Sequence, residues 1–441
     1  MIVMKFGGSS IADSERIKNV ASIIASEKWK RPLVVISGIR GITDELISIG
    51  RSASSGKEYM SLCNKAINRH MEIIRRLELK DSLLENEIRL LMALTKEISK
   101  NRTFSRKKLD LLMSLGERMS VKILAEYMNR NGHDAIPCNS YEIGVLTDSN
   151  FGNADILPGT YERIRKSLKG MDSIPIITGF IGMDRKGSIT TLGRGGSDYT
   201  ACIVGAAMNV DEIQIWTNVN GIMTADPKLV PLAKSITELT FDEEAELEFL
   251  GAETLHPRGI HPAMEGNINV RIMNTLNRRY RGSLIRKEIK ASTRVASITS
   301  KKGMVLFKMP SEENMREGFN LSLAISKLGR LGISFDFVSI SRSGIVATTT
   351  KGEELAELIG NDEEAAEKLK VLGKVAKVSV VGKNISDIKG IDRRIMKALG
   401  NIGIIMLDSG VSRESLSVVL DEKAADRATV LLHNEFFGRS G

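Results

Sequence analysis

The sequence predicts an α/β core built on a mainly parallel sheet, followed by two small α+β domains. Short apolar runs alternate with helical patterns from Met1 to about Ile285, the composition changes after about Lys290, and an approximate two-fold repeat follows. At 441 residues the chain is long for one core, and domains of about 100 to 200 residues imply two or three.

The strands of the core are read first. Ile2-Val3-Met4, Leu33 to Ile36, Ile174 to Thr178, Ile213 to Trp216 and Val270 to Met273 are short apolar runs bounded by Gly, Pro or polar residues, as buried strands are. From about Gly56 to Leu112 the chain is charged, with apolar residues at helical spacing as in Ile73-Ile74-Leu77 and Leu90-Leu91-Leu94. That segment reads as a helical insertion or lid. Beyond Lys290 a strand over Met304 to Met309, a helix over Gly318 to Leu328 and a strand over Ile333 to Ser341 are expected. A second set follows at Ala376 to Gly382, Ile391 to Leu399 and Ile404 to Asp408. Each helix stops near a glycine, the usual C-terminal signal. A repeat of roughly 70 residues is long for a solenoid unit and fits two small domains.

Bulk properties exclude several classes. Apolar residues make up 42% and charged residues 27%, which excludes a disordered chain. Met1 to Phe6 is too short for a signal peptide and no apolar run reaches membrane-spanning length, so a cytoplasmic protein without a membrane partner is expected. Cys63, Cys138 and Cys202 show no paired spacing, so neither disulfides nor a zinc site is indicated. The net charge of +9 is spread and mixed with acidic residues, as in Arg75 to Lys80, and Arg106-Lys107-Lys108 lacks interleaved aromatics. Small anions suit such a surface better than nucleic acid.

Two glycine loops carry the chemistry. The first strand runs into Gly7-Gly8-Ser9-Ser10, with a helical pattern from near Ile11, which places backbone N–H groups and a positive dipole end around an anion such as phosphate. Lys5 precedes the glycines, the reverse of the Walker A order. Alone, this loop could be a simple tight turn. A second loop, Gly193-Arg194-Gly195-Gly196-Ser197-Asp198, follows Thr190-Thr191-Leu192 and opens a small-residue helix. Its glycines allow close backbone approach, and Arg194 offers a planar fork for a carboxylate. Asp198, taken alone, reads as a helix cap. His256 and His261 could suggest a metal pair, but Pro257 and Pro262 are expected to break the helix that the pair would need, which favours a structural role.

Taken together, these segments resemble the aspartate kinase family of amino-acid kinases. Lys-Phe-Gly-Gly-Ser-Ser at Lys5, Ser-Gly-x-x-Gly-x-Thr at Ser37, Ser-Leu-Gly-Glu-Arg-Met-Ser at Ser114, Thr-Gly-Phe-Ile-Gly at Thr178 and the Gly193 loop stand in the family's order. So do Trp216 to Lys228 and Leu-His-Pro-Arg at Leu255. The resemblance implies a three-layer sandwich with a mainly parallel sheet over residues 1–290, with the helical insertion at about 56–112. It further implies ferredoxin-like ACT domains over 291–372 and 373–441.

The implied reaction transfers the γ-phosphoryl group of ATP, with Mg²⁺, to the β-carboxylate of L-aspartate. Lys5 and Asp198 would be catalytic, with Asp198 orienting Lys5. Thr43, Glu117, Phe180 and Arg194 would form the aspartate pocket, Glu117 meeting the ammonium and Arg194 the α-carboxylate. Phe6, Gly7, Gly8, Ser9, Ser37, Gly38, Gly195, Ser197, Thr217, Asn218, Met223 and Lys228 would join Lys5 around ATP and its phosphates, and no protein-held metal is implied. Asp336 and Ser339, within Phe335 to Ser341, would contact a feedback effector, lysine or threonine, and the ACT domains would pair in a homo-oligomer. The chain departs from the family at Asn218 (usually Asp), Met223 (usually Tyr), Glu253 (usually Lys) and Arg342 (often Glu). Glu253 inverts a charge where anion binding is implied, so weak ATP affinity or an altered nucleotide preference is expected. The alternatives are a kinase for another acidic amino acid, such as glutamate or N-acetylglutamate, and a catalytically weak amino-acid sensor.

Overall fold

The computed structural model describes residues 1–252, 254–310, 329, 334–341, 344–361, 369–409 and 412–438. The helix expected over Gly318 to Leu328, the start of the strand expected from Ile333, and positions Glu253 and Arg342 lie outside them. The chain forms two compact units: Met1–Ile222 with Ser235–Phe241 and Leu255–Ile289, and Met223–Lys234 with Asp242–Thr254 and Lys290–Gly441.

The first unit contains strands β1 (Ile2–Phe6), β2 (Pro32–Ile36), β3 (Ala135–Cys138), β4 (Leu146–Thr147), β5 (Ile174–Thr178) and β6 (Ile181–Asp184). It continues with β7 (Ile189–Thr191), β8 (Glu212–Thr217), β9 (Glu238–Thr240), β10 (Asn269–Asn274) and β11 (Ser283–Arg286). Eight of them make one sheet in the order β3-β5-β2-β1-β8-β10-β11-β9, while β4, β6 and β7 make a small second sheet. From β3 to β10 all neighbours are parallel, and β11 runs antiparallel to β10. Every residue of β2 and β5 is buried, the continuous apolar pattern of strands covered on both faces. β3 escapes a periodicity reading because it is four residues long and contains Pro137; its edge position tolerates the missing N–H.

Helices α1 (Ser14–Ser26), α2 (Ile42–Ser54), α3 (Met60–Arg76), α4 (Glu85–Asn101) and α5 (Arg106–Arg130) share a core with Ile2, Met4 and Phe6. Strand alternation therefore turns Val3 and Lys5 to the opposite face. There α7 (Gly196–Met208) packs against β1, β2 and β8 and is flanked by α6 (Thr160–Leu168) and α9 (Pro257–Glu265), whereas α8 (Phe241–Phe249) lies almost wholly in the second unit. Two expectations are corrected. After the first glycine loop the chain makes a 3₁₀ turn over Gly8–Ile11, and the α-helix starts at Ser14 because the Asp13 carboxylate accepts the Arg16 N–H. Pro262 lies inside α9 without ending it, and Pro257 occupies the first turn, where its missing N–H is harmless.

Among the described residues the second unit forms a six-stranded antiparallel sheet. Its order is β13 (Phe337–Ser341), β14 (Gly344–Thr349), β12 (Ser297–Pro310), β15 (Lys370–Val381), β17 (Ser415–Asp421) and β16 (Ile404–Ser409). Helices α10 (Gly352–Asn361), α11 (Ile391–Leu399) and α12 (Ala425–Phe437) complete it. The long strands β12 and β15 pair along their length and join both repeats in one sheet. Phe307, Ile345, Ala347, Leu355 and Leu369 form one core. Ile298, at the start of β12, packs instead in the core of Ala376 to Leu432. The Met223 segment is tied into this unit: the Met223 carbonyl accepts from Ser297 Oγ at 3.0 Å, and Thr224 Oγ1 lies 2.9 Å from His433 Nε2.

Candidate active site

Parallel register brings the loops together. Phe6 pairs level with Ile36 and Trp216, and Ile36 with Thr178, so the chain leaves β1, β2, β5 and β8 side by side at Gly7, Ser37, Gly179 and Thr217. The edge formed by carboxyl ends is where open α/β sheets bind ligands.

At this edge Lys5, turned towards α7, meets Asp198 in that helix's first turn, with Nζ 2.6 Å from Oδ1. Both side chains are largely sheltered. Asp198 therefore does not cap its helix; Gly195 holds the N-cap position at φ +71°, and a Cβ there would come within 2.9 Å of His256 Cβ. Ser37 Oγ donates to Ser197 Oγ at 2.9 Å, which ties the β2 loop to the second glycine loop. The first and β2 loops are locked by the Arg40 N–H, which donates to the Gly8 carbonyl at 3.1 Å. Ser9 lies in the first loop's 3₁₀ turn, and its carbonyl accepts from Arg16. Phe6 is corrected in one respect: its ring is fully buried and stacks on Trp216 at 5.8 Å, so it supports the loop from the core and shows no side chain to it.

Glu117 on α5 is 3% exposed. Its Oε1 accepts the Gly38 N–H at 3.0 Å, and its Oε2 is buried without a hydrogen bond. Burial pushes its carboxyl up to about 7, against the opposing pull of that N–H. A buried carboxylate with one idle oxygen suits a cation. Thr43 is half-buried in the first turn of α2. Phe180 adopts a left-handed φ of +68°, unusual for an aromatic residue. It is held there because its N–H donates to Thr200 Oγ1 at 3.0 Å and its carbonyl accepts from the Leu192 N–H at 2.8 Å. Arg194 is exposed, and its guanidinium has no partner among the described residues.

Thr217 ends β8 and Asn218 follows it. The Thr217 carbonyl accepts the Thr275 N–H at 2.8 Å, and Asn218 Oδ1 accepts from Thr275 Oγ1 at 3.2 Å, which leaves the Asn218 amide group to donate. Met223 and the exposed Lys228 belong to the second unit. There, too, Asp336 is engaged by Lys301 and by the Thr350 N–H at 3.2 Å, while Ser339 is exposed on β13. Asp110, which the sequence reading passed over, and Arg258, named there only within the Leu-His-Pro-Arg motif and given no role, hold the loops. Nothing marks Asp110, since an acidic residue on a charged helix is commonplace, and the motif that contains Arg258 does not disclose what its guanidinium holds. His256 packs beside Gly195, whereas His261 is exposed and sits 3.6 Å from Glu265.

The amino acid kinase family model matches residues 1–274. Aspartokinase 2, chloroplastic, of Arabidopsis thaliana is 33% identical to the chain over 457 aligned residues, which cover 99% of this chain and 84% of the relative. The chain belongs to the aspartokinase family. An ACT domain model matches residues 378–436. Escherichia coli aspartokinase III, solved with aspartate and ADP in its R-state, superposes with a TM-score of 0.81 at 26% identity, covering 99% of this chain and 100% of that one. The T-state of the same enzyme, solved with lysine and aspartate, superposes with a TM-score of 0.82 at 26% identity, covering 99% of each chain. Among the described residues of this aspartokinase no helix is long and apolar enough to cross a membrane.

Proposed function

We propose that this aspartokinase transfers the γ-phosphoryl group of ATP to the β-carboxylate of L-aspartate, giving 4-phospho-L-aspartate and ADP, the first step towards lysine, threonine and methionine. The observation that carries the reading is the buried Glu117 carboxylate, its Oε2 idle, bonded to the same β2 loop whose Ser37 reaches Ser197 beside the Lys5–Asp198 pair. It supports a cation site and a phosphate site on one sheet edge.

Glu117 takes the substrate ammonium and Arg194 its α-carboxylate, with Thr43 and Phe180 lining the pocket. The β-carboxylate is ionised at neutral pH and needs no general base. One carboxylate oxygen bonds to the γ-phosphorus as the bond to the β,γ-bridging oxygen breaks, and ADP leaves with that electron pair. Lys5, held by Asp198, and the N–H groups of Gly7, Gly8 and Ser9 stabilise the charge on the transferring group, with Ser37, Gly38, Gly195 and Ser197 around it. Phe6 buttresses the loop from below. Thr217 and Asn218 contact the nucleotide; for Met223 and Lys228 the resemblance alone carries that role.

Among the described residues no three His, Cys, Asp or Glu side chains gather as a metal cage. A Mg²⁺ that comes with ATP would sit beside Asp198, the carboxylate at the phosphate loops. When bound it neutralises phosphate charge.

Residues 1–290 form the kinase domain, with a helical insertion at about 56–112, and 291–372 and 373–441 the ACT domains. The ACT domains assemble the chain as a cytoplasmic homo-oligomer and bind lysine through Asp336 and Ser339. Hydroxylamine trapping of the acyl phosphate tests the reaction. ATP with aspartate is expected to give the hydroxamate, and glutamate or N-acetylglutamate not. No product with any of the three leaves only a sensor.

A further inference from the structure

The loop from Leu192 to Gly195 carries Arg194 of the proposed aspartate pocket, and the loop around Gly152 to Asp155 lies against it at Gly193. Both are gripped from two sides. Asp110, wholly buried on α5, accepts the Gly152 N–H at 2.9 Å and the Thr191 N–H at 2.7 Å, both through Oδ2. Arg258, in the first turn of α9, takes the groups of opposite polarity. Its guanidinium donates to the Leu192 carbonyl at 3.2 Å, to Asn153 Oδ1 at 2.5 Å, to Asp155 Oδ1 at 2.6 Å and to the Ala154 carbonyl. Its Cζ lies over the Tyr199 ring, 5.2 Å from the ring centroid. The loops are also stitched to each other, since the Ala154 N–H donates to the Thr191 carbonyl at 2.9 Å.

We propose that Asp110 and Arg258 act as a clamp of positioning residues that sets where Arg194 stands relative to Glu117, and thereby sets aspartate affinity. Resting on the kinase reading above, the inference adds a determinant of one substrate's binding. Helix α5 is the ruler. Asp110 precedes Glu117 by seven residues, two turns on one face, about 10 Å apart along the axis. At one end the helix fixes Gly38 through Glu117, and at the other it fixes Thr191, three residues before Arg194. A substrate that spans an ammonium site and an α-carboxylate site reads the spacing between them, whereas ATP does not. Asp110 Oδ1 is buried without a hydrogen bond, so both of its bonds go through one oxygen. An amide oxygen, with two lone pairs, can accept the same pair.

The test compares Asp110→Asn, Asp110→Leu and Arg258→Met with the unaltered protein, by kcat, by KM for each substrate and by hydrogen exchange at Thr191 to Gly196. Asp110→Leu and Arg258→Met are expected to raise the aspartate KM about tenfold or more, as loss of a buried charge-assisted bond implies, while the ATP KM stays within about twofold. Exchange at Thr191 should accelerate in both, and Asp110→Asn should restore the aspartate KM and the protection. Arg258 is 24% exposed, so its replacement decides the matter if Asp110→Leu does not fold. Equal rises in both KM values, an aspartate KM within about twofold in both variants, or Asp110→Asn as weak as Asp110→Leu would each overturn the clamp. Failure of the unaltered protein to use aspartate would refute the kinase reading instead, and the exchange rates would still report on the clamp.

Discussion

Glu117 sets two opposed demands on one side chain. Its carboxyl is raised to about 7 by burial, against an ordinary value of 4.5 when unfolded. Between those values the folded protein holds a proton that the unfolded chain releases, so its contribution to stability is complete below about 4.5 and is lost as pH rises through 7. Above that pH the charge costs about 3 kcal/mol of folding stability, from roughly 1.4 kcal/mol per unit. The same charge is what an ammonium needs. Glu117→Gln keeps an acceptor for the Gly38 N–H and removes the charge. It is expected to melt higher than the parent at pH 8, with the gain vanishing near pH 4.5, and to lose aspartate use by about a hundredfold or more. For the parent, kcat/KM for aspartate should fall towards tenfold per unit as pH drops below about 7. Thermal melts showing no gain at pH 8, or an unaltered aspartate KM, would contradict this account.

At the scale of elements, the crossing of the first two loops depends on Gly8. A Cβ at Gly8 would lie 2.5 Å from the Gly38 carbonyl oxygen and 3.2 Å from the Arg40 nitrogen, both backbone atoms that cannot swing aside. Gly8→Ala must push the β1 and β2 loops apart, and a loss of about a hundredfold in kcat/KM for ATP is expected from misplaced phosphate donors; steady-state kinetics near the parent's would refute it. Helix α3 carries a different liability. His70 is fully buried, its Nδ1 2.8 Å from the Ala66 carbonyl and its Nε2 unpartnered, and burial lowers it from 6.5 to about 4. Here the unfolded chain takes up the proton first, so stability is full above about 6.5 and is lost as pH falls towards 4, by about 3 kcal/mol. His70→Leu should flatten that acid limb in melts between pH 7 and 4, and an unchanged slope would count against it. What could be read in advance follows from the same physics. Strands buried on both faces, such as β1, β2 and β5, announce themselves as apolar runs, and glycine loops next to them mark an anion site. Short strands such as β4, with two residues, carry too little pattern. Phe6, Asp198 and the Asp110–Arg258 pair have functions set by partners distant in the chain, which a lone residue type does not disclose. Pro262 misled for a related reason: the cost of one missing bond is overridden where α9 packs on α7 and β10.

At the scale of the molecule, β13 and β16 are the two outer strands of the six-stranded sheet among the described residues. Each exposes apolar side chains two residues apart, Val338 and Ile340 on one and Ile405 and Leu407 on the other. Strand alternation puts each pair on one face. An edge of unpaired backbone groups beside exposed apolar side chains is a liability that proteins ordinarily cover. Covering it with a second copy is the assembly proposed above. If lysine binds through Asp336, one residue before β13, its binding and that assembly are linked, and each must strengthen the other by the same factor. Asp336 already holds Lys301, so the amino acid's own ammonium can compete for that carboxylate only where new contacts offset the exchange. Lysine is therefore expected to shift sedimentation profiles of the dilute protein towards the oligomer. Placing lysine side chains on both edges, Ile340→Lys with Leu407→Lys, should leave a monomer whose mass no longer responds to the free amino acid. A mass distribution indifferent to lysine in the parent would break the link, and an oligomer that survives both substitutions would move the interface away from these edges.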